Sequence, residues 1–309
     1  MLSSNKKLIA VIGATGKQGG GVLRALQARG QFKVRALTRD PDKHRELAEE
    51  VVEADLDRPE TLKAAFEGAH GVFLVTNFWA QGGTDELKQA TSAIRAAKDA
   101  GVKHFIWSTL PDVEAISGGK FDVPHFTGKA KIDRVVQEAG FENYSFVIPP
   151  FYYQNLLGMM APQKQPDGSV GWALPLDPTL RVIHMGDINE LGNIVAGAFA
   201  HPDEAGNGEY LPLVGDFMSF NEIVETLNRQ GHNFSYKQVP KESFAGAFPG
   251  ASEIAEMLSY WEAHTYLGSD SSDRIALANK VAGREPTRFS SWAEENFPKQ
   301  LHATDGALH

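Results

Sequence analysis

Apolar runs and apolar helical repeats alternate along the first half of the chain. Leu8 to Ile12 is a continuous apolar run, which is typical of a strand buried on both faces of a sheet. From Glu86 to Ala100 an apolar residue instead returns every three or four positions, which predicts a helix that ends at Gly101. The predicted buried face of this helix carries Leu87, Ala90, Ile94 and Ala97. Further strands are predicted at Val34 to Leu37, Val51-Val52, Gly71 to Thr76, His104 to Trp107 and Tyr144 to Ile148. This alternation predicts an α/β protein with a doubly wound parallel sheet of the Rossmann type.

The pattern changes after Pro149-Pro150. Val182 to Phe199 has the pattern of one more strand and helix, whereas later segments, including Tyr210 to Val214, mix strands and helices without regular alternation. We therefore expect two domains. Residues 1–150 would form the Rossmann domain, with residues 180–200 packing back onto it, and residues 151–309 would form a smaller mixed α/β lobe.

Composition narrows the class of function. The 309 residues carry a formal charge of -9, and nucleic acids and anionic membranes both require a basic face, so neither is expected as a partner. No apolar run approaches the roughly 20 residues of a membrane helix. The absence of cysteine excludes thiol chemistry and fits a cytoplasmic setting. The ten histidines are scattered, so no metal site is expected.

The clearest chemical signal is a glycine-rich turn between the first strand and the helix after it. It reads Gly13-Ala14-Thr15-Gly16-Lys17-Gln18-Gly19, a G-x-x-G-x-x-G pattern. Glycines let the backbone turn tightly and approach a pyrophosphate, and the helix N-terminus offers free N–H groups and a positive dipole end. The pattern in this context predicts a dinucleotide site.

The end of the second strand bears on which dinucleotide is bound. Arg39 can form a bidentate pair with a 2′-phosphate, and Lys43 adds a point charge, which favours NADP(H) over NAD(H). An alternative remains open, because a shift of one residue would make Asp40 the ligand of the ribose hydroxyls, as in NAD binders.

Polar and aromatic residues follow the other strands. Asp55-Leu56 either bonds the adenine amine or belongs to a simple loop, and Ser108 follows the fifth strand at the edge where ligands bind. Aromatic residues crowd the same edge and predict a flat apolar substrate slot. They are Phe78, Trp79, Phe151, Tyr152 and Tyr153, with Trp172 and Trp261 from the smaller lobe.

Together with the glycine motif and Arg39, three further segments resemble the NmrA-like proteins, atypical members of the short-chain dehydrogenase/reductase superfamily. These segments are Thr76-Asn77-Phe78-Trp79, His125-Phe126-Thr127-Gly128-Lys129 and Tyr152-Tyr153-Gln154-Asn155-Leu156-Leu157. The resemblance extends to about Phe297. The family includes NADP-binding redox sensors that regulate partner proteins, and it is similar to isoflavone-type reductases and quinone reductases.

The resemblance implies a set of cofactor contacts. Residues 15–18 would meet the pyrophosphate and ribose, Arg39 and Lys43 the 2′-phosphate, and Lys129 the nicotinamide ribose. Phe151, Tyr152 and Asn155 would close over the nicotinamide. The expected cofactor-binding residues are Gly13, Thr15, Gly16, Lys17, Gln18, Gly19, Arg39, Lys43, Asp55, Leu56, Thr76, Asn77, Phe78, Ser108, Lys129, Phe151, Tyr152 and Asn155.

The catalytic motif departs from the usual one. Ordinary short-chain reductases use Tyr-x-x-x-Lys, in which tyrosine protonates the substrate and lysine lowers the tyrosine pKa. The same spacing here joins His125 to Lys129. Histidine can deliver a proton near neutral pH, but it can equally be a hydrogen-bonded polar residue at a helix start. The catalytic candidates are Lys129, His125 and Tyr152.

Two functions are consistent with these motifs and with the resemblance. The first is an NADPH-dependent reductase of a small aromatic or conjugated acceptor, such as a quinone, carbonyl or imine. The second is a non-catalytic sensor of the NADPH/NADP ratio that regulates a partner protein. The superfamily makes a homodimer plausible, although no residue in the sequence requires one.

Overall fold

The structure is a computed structural model that describes residues 6–80, 83–269 and 271–298. Its strands are β1 (Leu8–Ile12), β2 (Lys33–Thr38), β3 (Glu50–Glu53), β4 (Gly71–Leu74), β5 (His104–Ser108), β6 (Asn143–Ile148), β7 (Phe151–Tyr152), β8 (Gln163–Lys164), β9 (Val170–Leu174), β10 (Ile183–Gly186), β11 (Asn207–Pro212), β12 (Asp216–Met218) and β13 (Phe234–Gln238). Its α-helices are α1 (Lys17–Arg29), α2 (Leu62–Phe66), α3 (Glu86–Asp99), α4 (Val113–Ser117), α5 (Pro124–Glu138), α6 (Leu191–Ala200), α7 (Pro202–Ala205), α8 (Phe220–Arg229), α9 (Lys241–Ala245), α10 (Ala251–His264), α11 (Ser272–Ala282) and α12 (Phe289–Asn296).

Seven parallel strands form the main sheet, in the order β11-β6-β5-β4-β1-β2-β3. Alternate residues of β1 serve its two faces, as the two-residue period of a strand requires. Ile9 and Val11 pack against α1, α6 and α11, whereas Ala10 and Ile12 pack against α2, α3 and α5. The predicted doubly wound sheet is therefore confirmed. The strand order reverses between β1 and β4, the position where such sheets open a ligand crevice.

A second, smaller group of elements lies beside this sheet. Two three-stranded sheets, β12-β10-β7 and β13-β9-β8, pack with α8, α10 and α12 around a core rich in aromatic side chains. Trp172 of β9, for example, contacts the rings of Phe220 and Phe234. This part is the mixed α/β lobe that the sequence predicts, although Tyr210 to Val214 was placed in it wrongly. The strand there is β11, which pairs with β6 and completes the main sheet.

Within the segment 180–200, helix α6 packs onto the main sheet, whereas β10 pairs with β7 and β12 in a smaller sheet. The backbones of α6 and α1 lie close together. A Cβ atom at Gly192 of α6 would lie 2.2 Å from the Gly21 carbonyl oxygen of α1, so no larger side chain fits without separating the helices. Helix α1, which begins at the glycine motif, is thereby held at a fixed distance from α6.

Two helix-level observations complete the fold. Within the described residues, no helix is both long enough and apolar enough to span a bilayer. The orientation of α3 differs from the sequence prediction, because Leu87 is 51% exposed and Glu86 is buried in its place. The residues that face the protein are Glu86, Gln89, Ala90, Ala93, Ile94 and Ala97.

Candidate active site

A cavity of about 1610 Å³ lies at the carboxyl ends of β1, β2 and β4 and extends beneath the smaller lobe. Most of the residues expected from the sequence line it. They are Gly13, Thr15, Gly16, Lys17, Gln18, Gly19, Arg39, Asp55, Leu56, Thr76, Asn77, Phe78, His125, Lys129, Phe151, Tyr152 and Asn155. Lys43 and Ser108 are not among the residues that line it.

The glycine turn forms one end of the cavity. Gly13 adopts a φ of 69°, and its carbonyl accepts a hydrogen bond from the Gly16 N–H at 2.8 Å. A Cβ atom at Gly19 would lie 2.2 Å from that same carbonyl oxygen, so the turn requires glycine there. No side chain caps the start of α1, which leaves first-turn N–H groups available to an anion. The turn thus has the shape and polarity of a pyrophosphate cradle.

Arg39 and Asp40 follow β2 at the edge of the cavity, and they differ in what they contact. The Asp40 carboxylate accepts hydrogen bonds from the Lys43 backbone N–H at 3.3 Å and from Lys43 Nζ at 2.8 Å. The hydrogen bond from Lys43 holds the pKa of Asp40 below its usual value. Asp40 and Lys43 therefore satisfy each other, while Arg39 is exposed at the cavity.

The part of the cavity lining that follows β3 is acidic and polar. Asp55 belongs to it, although its carboxylate already accepts from Arg58 Nε at 3.2 Å and from the Asp57 N–H at 3.0 Å. Sequence reasoning missed two neighbours there, Asp57 and Gln89, which join through a 2.7 Å hydrogen bond from Gln89 Nε2. The inward face of α3, read at helical spacing from Glu86, would have found Gln89.

Gln18 connects the glycine turn to the smaller lobe. Ser108 Oγ donates to Gln18 Oε1 at 2.6 Å, and Gln18 Nε2 donates to the Tyr152 hydroxyl at 2.9 Å. Ser108 therefore orients Gln18 instead of lining the cavity. Burial raises the pKa of Tyr152 to about 12, which makes its hydroxyl a weak acid.

Lys129 of α5 sits in a buried polar network. Its Nζ donates to the Thr76 carbonyl at 3.0 Å, to Thr76 Oγ1 at 2.8 Å and to Glu86 Oε1 at 2.7 Å. It also lies 5.1 Å from the centre of the Trp107 ring. Burial lowers the pKa of Lys129, although the Glu86 carboxylate acts in the opposite direction. Sequence reasoning missed Glu86, because an acidic residue in the first turn of a helix is ordinary at the surface.

His125 begins α5 and contacts the smaller lobe. Its Nδ1 lies 2.6 Å from Glu253 Oε1, and its backbone N–H donates to the same oxygen at 2.9 Å. Burial raises the pKa of Glu253, but the hydrogen bonds from His125 outweigh it and the net pKa is lowered. Nothing in the sequence indicated Glu253, which stands 128 positions further along the chain.

Aromatic side chains form the wall opposite the glycine turn. Phe78, Trp79, Phe151, Trp172 and Trp261 line the cavity as predicted, and the structure adds Phe244, Phe248, Met159, Met160 and Met257. Tyr153 was assigned to this wall wrongly. It is fully buried, and its hydroxyl donates to the Thr287 carbonyl at 3.1 Å, on the other side of the lobe.

A doubly wound sheet with a glycine cradle at its reversal point defines a dinucleotide-binding α/β protein. The model of the NmrA-like family matches residues 5–293, and the chain belongs to that family.

Relatives and a solved structure agree with this assignment. An NmrA-like family domain-containing protein of Dictyostelium discoideum is 30% identical over 289 residues, which cover 88% of this chain and 93% of that protein. The NmrA-like family domain-containing oxidoreductase FrzB of Cladobotryum sp. is 36% identical over 241 residues, covering 70% and 71%. NmrA, a negative transcriptional regulator solved with NADP and separately with NAD, has a TM-score of 0.78 at 24% identity, covering 95% and 96%. NADP is the cofactor that the sequence predicts.

Proposed function

We propose that the protein binds NADP(H) in this cavity and reduces a small aromatic or conjugated acceptor, such as a quinone, carbonyl or imine. The observation that carries the proposal is that one cavity joins the glycine turn to the aromatic wall. Its volume exceeds the roughly 300–1,000 Å³ of a typical small-molecule pocket, which leaves room for an acceptor beside the dinucleotide.

The chain offers a matching group for each part of the cofactor. The turn from Gly13 to Gly19 and the free N–H groups of α1 hold the pyrophosphate, and Arg39 holds the 2′-phosphate. When bound, NADPH supplies the hydride for the reduction. Phe151, Tyr152 and Asn155 cover the nicotinamide end.

Lys129 serves better as a fixed cation than as a proton donor. An ammonium group has three donors, and the three of Lys129 are directed to Thr76 and Glu86. Lys129 therefore holds Thr76 and Glu86 in place at the cavity wall, and the proton comes from His125, Tyr152 or a water molecule.

The acceptor half favours a neutral molecule. None of the described residues after position 149 that line the cavity is charged, whereas aromatic rings and methionines are abundant. Flat apolar surfaces of this kind bind rings through area and edge-to-face contacts. A conjugated ring system with one polar oxygen or nitrogen matches them.

The first experiment is a fluorescence titration with NADPH and NADH. We expect NADPH to bind more tightly and Arg39→Ala to weaken NADPH about 10- to 100-fold while leaving NADH nearly unchanged, since the lost contact is a charge-assisted one. Lys43→Ala is the matched control and should change neither constant more than about 2-fold. Equal affinities for the two nucleotides in the unaltered protein would refute the NADP(H) assignment.

Turnover tests the reductase itself. NADPH oxidation is followed with a panel of quinones, ketones and imines, and Lys129→Ala should remove the activity while the glycine turn still binds nucleotide. Tight NADPH binding without oxidation by any acceptor would contradict the enzyme.

A sensor of the NADPH/NADP ratio is the second candidate. It is favoured by His125 in place of the usual tyrosine and by the structural likeness to NmrA, a regulator. In that case NADPH and NADP would bind without turnover and would change the affinity for a partner protein or the proportion of homodimer, measured by analytical ultracentrifugation.

A further inference from the structure

We infer that His125 donates the proton to the acceptor and that Glu253 is the positioning residue that keeps His125 Nε2 directed at the cavity. This inference rests on the proposed reductase function. It adds to that function a second element of the site, supplied by helix α10 of the smaller lobe.

The Glu253 carboxylate contacts His125 at two nitrogen atoms. Its Oε1 accepts from the backbone N–H of His125 at 2.9 Å and lies 2.6 Å from the ring Nδ1. A carboxylate beside Nδ1 keeps a proton on that nitrogen, so Nε2 is the atom left for chemistry. His125 lines the cavity, and its Nε2 forms no hydrogen bond with any residue that the structure describes.

Aromatic rings hold the imidazole from the other sides. The ring centre of His125 lies 5.8 Å from that of Phe78, 5.3 Å from Trp79 and 4.8 Å from Phe126. Two of these rings, Phe78 and Trp79, belong to the aromatic wall of the cavity. The imidazole is therefore fixed in orientation at the junction of the two halves of the cavity.

The other proton donors that the sequence offers are weaker candidates. Burial raises the pKa of Tyr152 to about 12, which makes its hydroxyl a poor acid, and Lys129 directs its hydrogens to Thr76 and Glu86. Of the described ionisable groups, Glu253 is the one that contacts the His125 ring. Lys129, one turn further on in α5, faces Glu86 instead.

The step balances for a carbonyl acceptor. A hydride from NADPH adds to the carbonyl carbon while the carbonyl π bond opens and the oxygen takes the proton from Nε2. The products are an alcohol, NADP and a neutral imidazole whose Nδ1–H remains bonded to Glu253. Solvent then restores the proton on Nε2, and the nearby carboxylate stabilises the imidazolium.

A purely structural role for Glu253 must be separated from this one. Helix α5 has no side-chain cap of its own, and Glu253 supplies one from α10 through the His125 N–H. Glu253→Gln keeps an oxygen for that backbone bond but loses the charge beside Nδ1. Glu256→Gln is the matched control, because it removes a carboxylate of the same helix that pairs with Lys241.

We expect Glu253→Gln to lower kcat at least 10-fold, with the KM for NADPH within about 2-fold, and to change the dependence of kcat on pH. His125→Gln should remove that pH dependence, and Glu256→Gln should match the unaltered protein. Unchanged kcat and pH profile in Glu253→Gln would overturn the inference, as would equal losses in Glu253→Gln and Glu256→Gln.

Nitrogen-15 NMR of the histidine rings gives a readout that needs no turnover. The unaltered protein should show His125 with its proton on Nδ1, and Glu253→Gln should remove that preference. A His125 that carries its neutral-form proton on Nε2 overturns the positioning role. If no acceptor is reduced, the reductase proposal and the proton-donor role fail together, and the NMR result still decides the contact between Glu253 and the ring.

Discussion

Two ionisable residues one turn apart in α5 are both buried, but they differ in how fully their polar atoms are hydrogen-bonded. Lys129 has three polar partners for its three hydrogens, whereas Asp133 has a partner for only one of its two oxygens. Tyr210 donates to Asp133 Oδ2 at 2.9 Å, but Oδ1 has no hydrogen-bond partner among the described residues. Burial raises the pKa of Asp133 to about 7. A buried carboxylate that is not fully compensated opposes folding once it ionises.

The sign of the resulting pH dependence is fixed by that shift. The folded pKa of about 7 lies above the ordinary aspartate value of 3.8, so the folded protein holds this proton to higher pH than the unfolded chain does. The stability from this group is fully present below pH 3.8 and is lost as pH rises through 7.

Asp133→Asn should therefore stabilise the protein in alkaline but not in acidic buffer. We expect the free energy of unfolding to rise by about 2–4 kcal/mol at pH values above the folded pKa and to change little below the ordinary pKa of an aspartate. Urea unfolding across this pH range measures it, with the exposed Asp99→Asn as control for net charge. A gain of equal size at every pH would show that burial of the charge is not the cause.

At the scale of elements, the contact between α1 and α6 decides where the glycine turn stands. Helix α1 begins at the turn, and α6 meets it with Gly192 against the Gly21 backbone. Small residues at such crossings allow close packing, which transmits any change in helix separation to both ends of the pair.

Gly192→Ala should push the two helices apart. Its Cβ would lie 2.2 Å from the Gly21 oxygen and 2.9 Å from Ala25 Cβ, so we expect a loss of about 1–3 kcal/mol in unfolding free energy and weaker NADPH binding. Gly128→Ala is the matched control, because a Cβ there meets open space and should stabilise α5 by about 0.5–1 kcal/mol. Equal urea midpoints for the two variants would refute the packing argument.

The strands of the main sheet up to β6 and the glycine turn could be predicted from local pattern, because a buried parallel strand and a phosphate-binding turn each leave a short, contiguous signal. Contacts between distant segments leave none. Glu253 reaches His125 only because α10 folds over α5, and β11 joins the sheet only because β6 offers an open edge. The prediction that Leu87 lies on the buried face of α3 was wrong, because hydrophobicity alone cannot show that Glu86 has a buried partner in Lys129.

At the scale of the whole molecule, the cavity is built from three separate stretches of chain. Residues 12–89 supply the glycine turn, Arg39 and two rings of the aromatic wall, and residues 110–129 supply His125 and Lys129. Residues 149–266 supply the rest of the aromatic wall. Specific side-chain hydrogen bonds join these stretches, such as Gln18 with Tyr152 and His125 with Glu253. Apolar wall residues such as Met159 and Phe248 take no part in these hydrogen bonds or in the contact between α1 and α6, so they can change without altering the glycine turn.

Trp79→Ala tests the assignment of the aromatic wall. Trp79 is 48% exposed and stands at the mouth of the cavity, so we expect its loss to raise the KM of an aromatic acceptor about 10-fold through lost apolar contact. The dissociation constant for NADPH should change less than about 2-fold. Leu87→Ala, an equally exposed apolar residue that lies outside the cavity lining, is the control. An acceptor KM that responds equally to both changes would contradict the assignment.

The distance along the chain between the glycine turn and most of the aromatic wall also makes the protein a favourable starting point for directed evolution. Mutagenesis confined to Leu157, Met159, Phe244 and Phe248 changes the walls of the acceptor half, and all four lie far along the chain from the glycine turn. Libraries of this kind can be selected for new acceptors while the affinity for the cofactor stays the same. A second library at Arg39 can then be used independently to change the preference of the protein between NADPH and NADH.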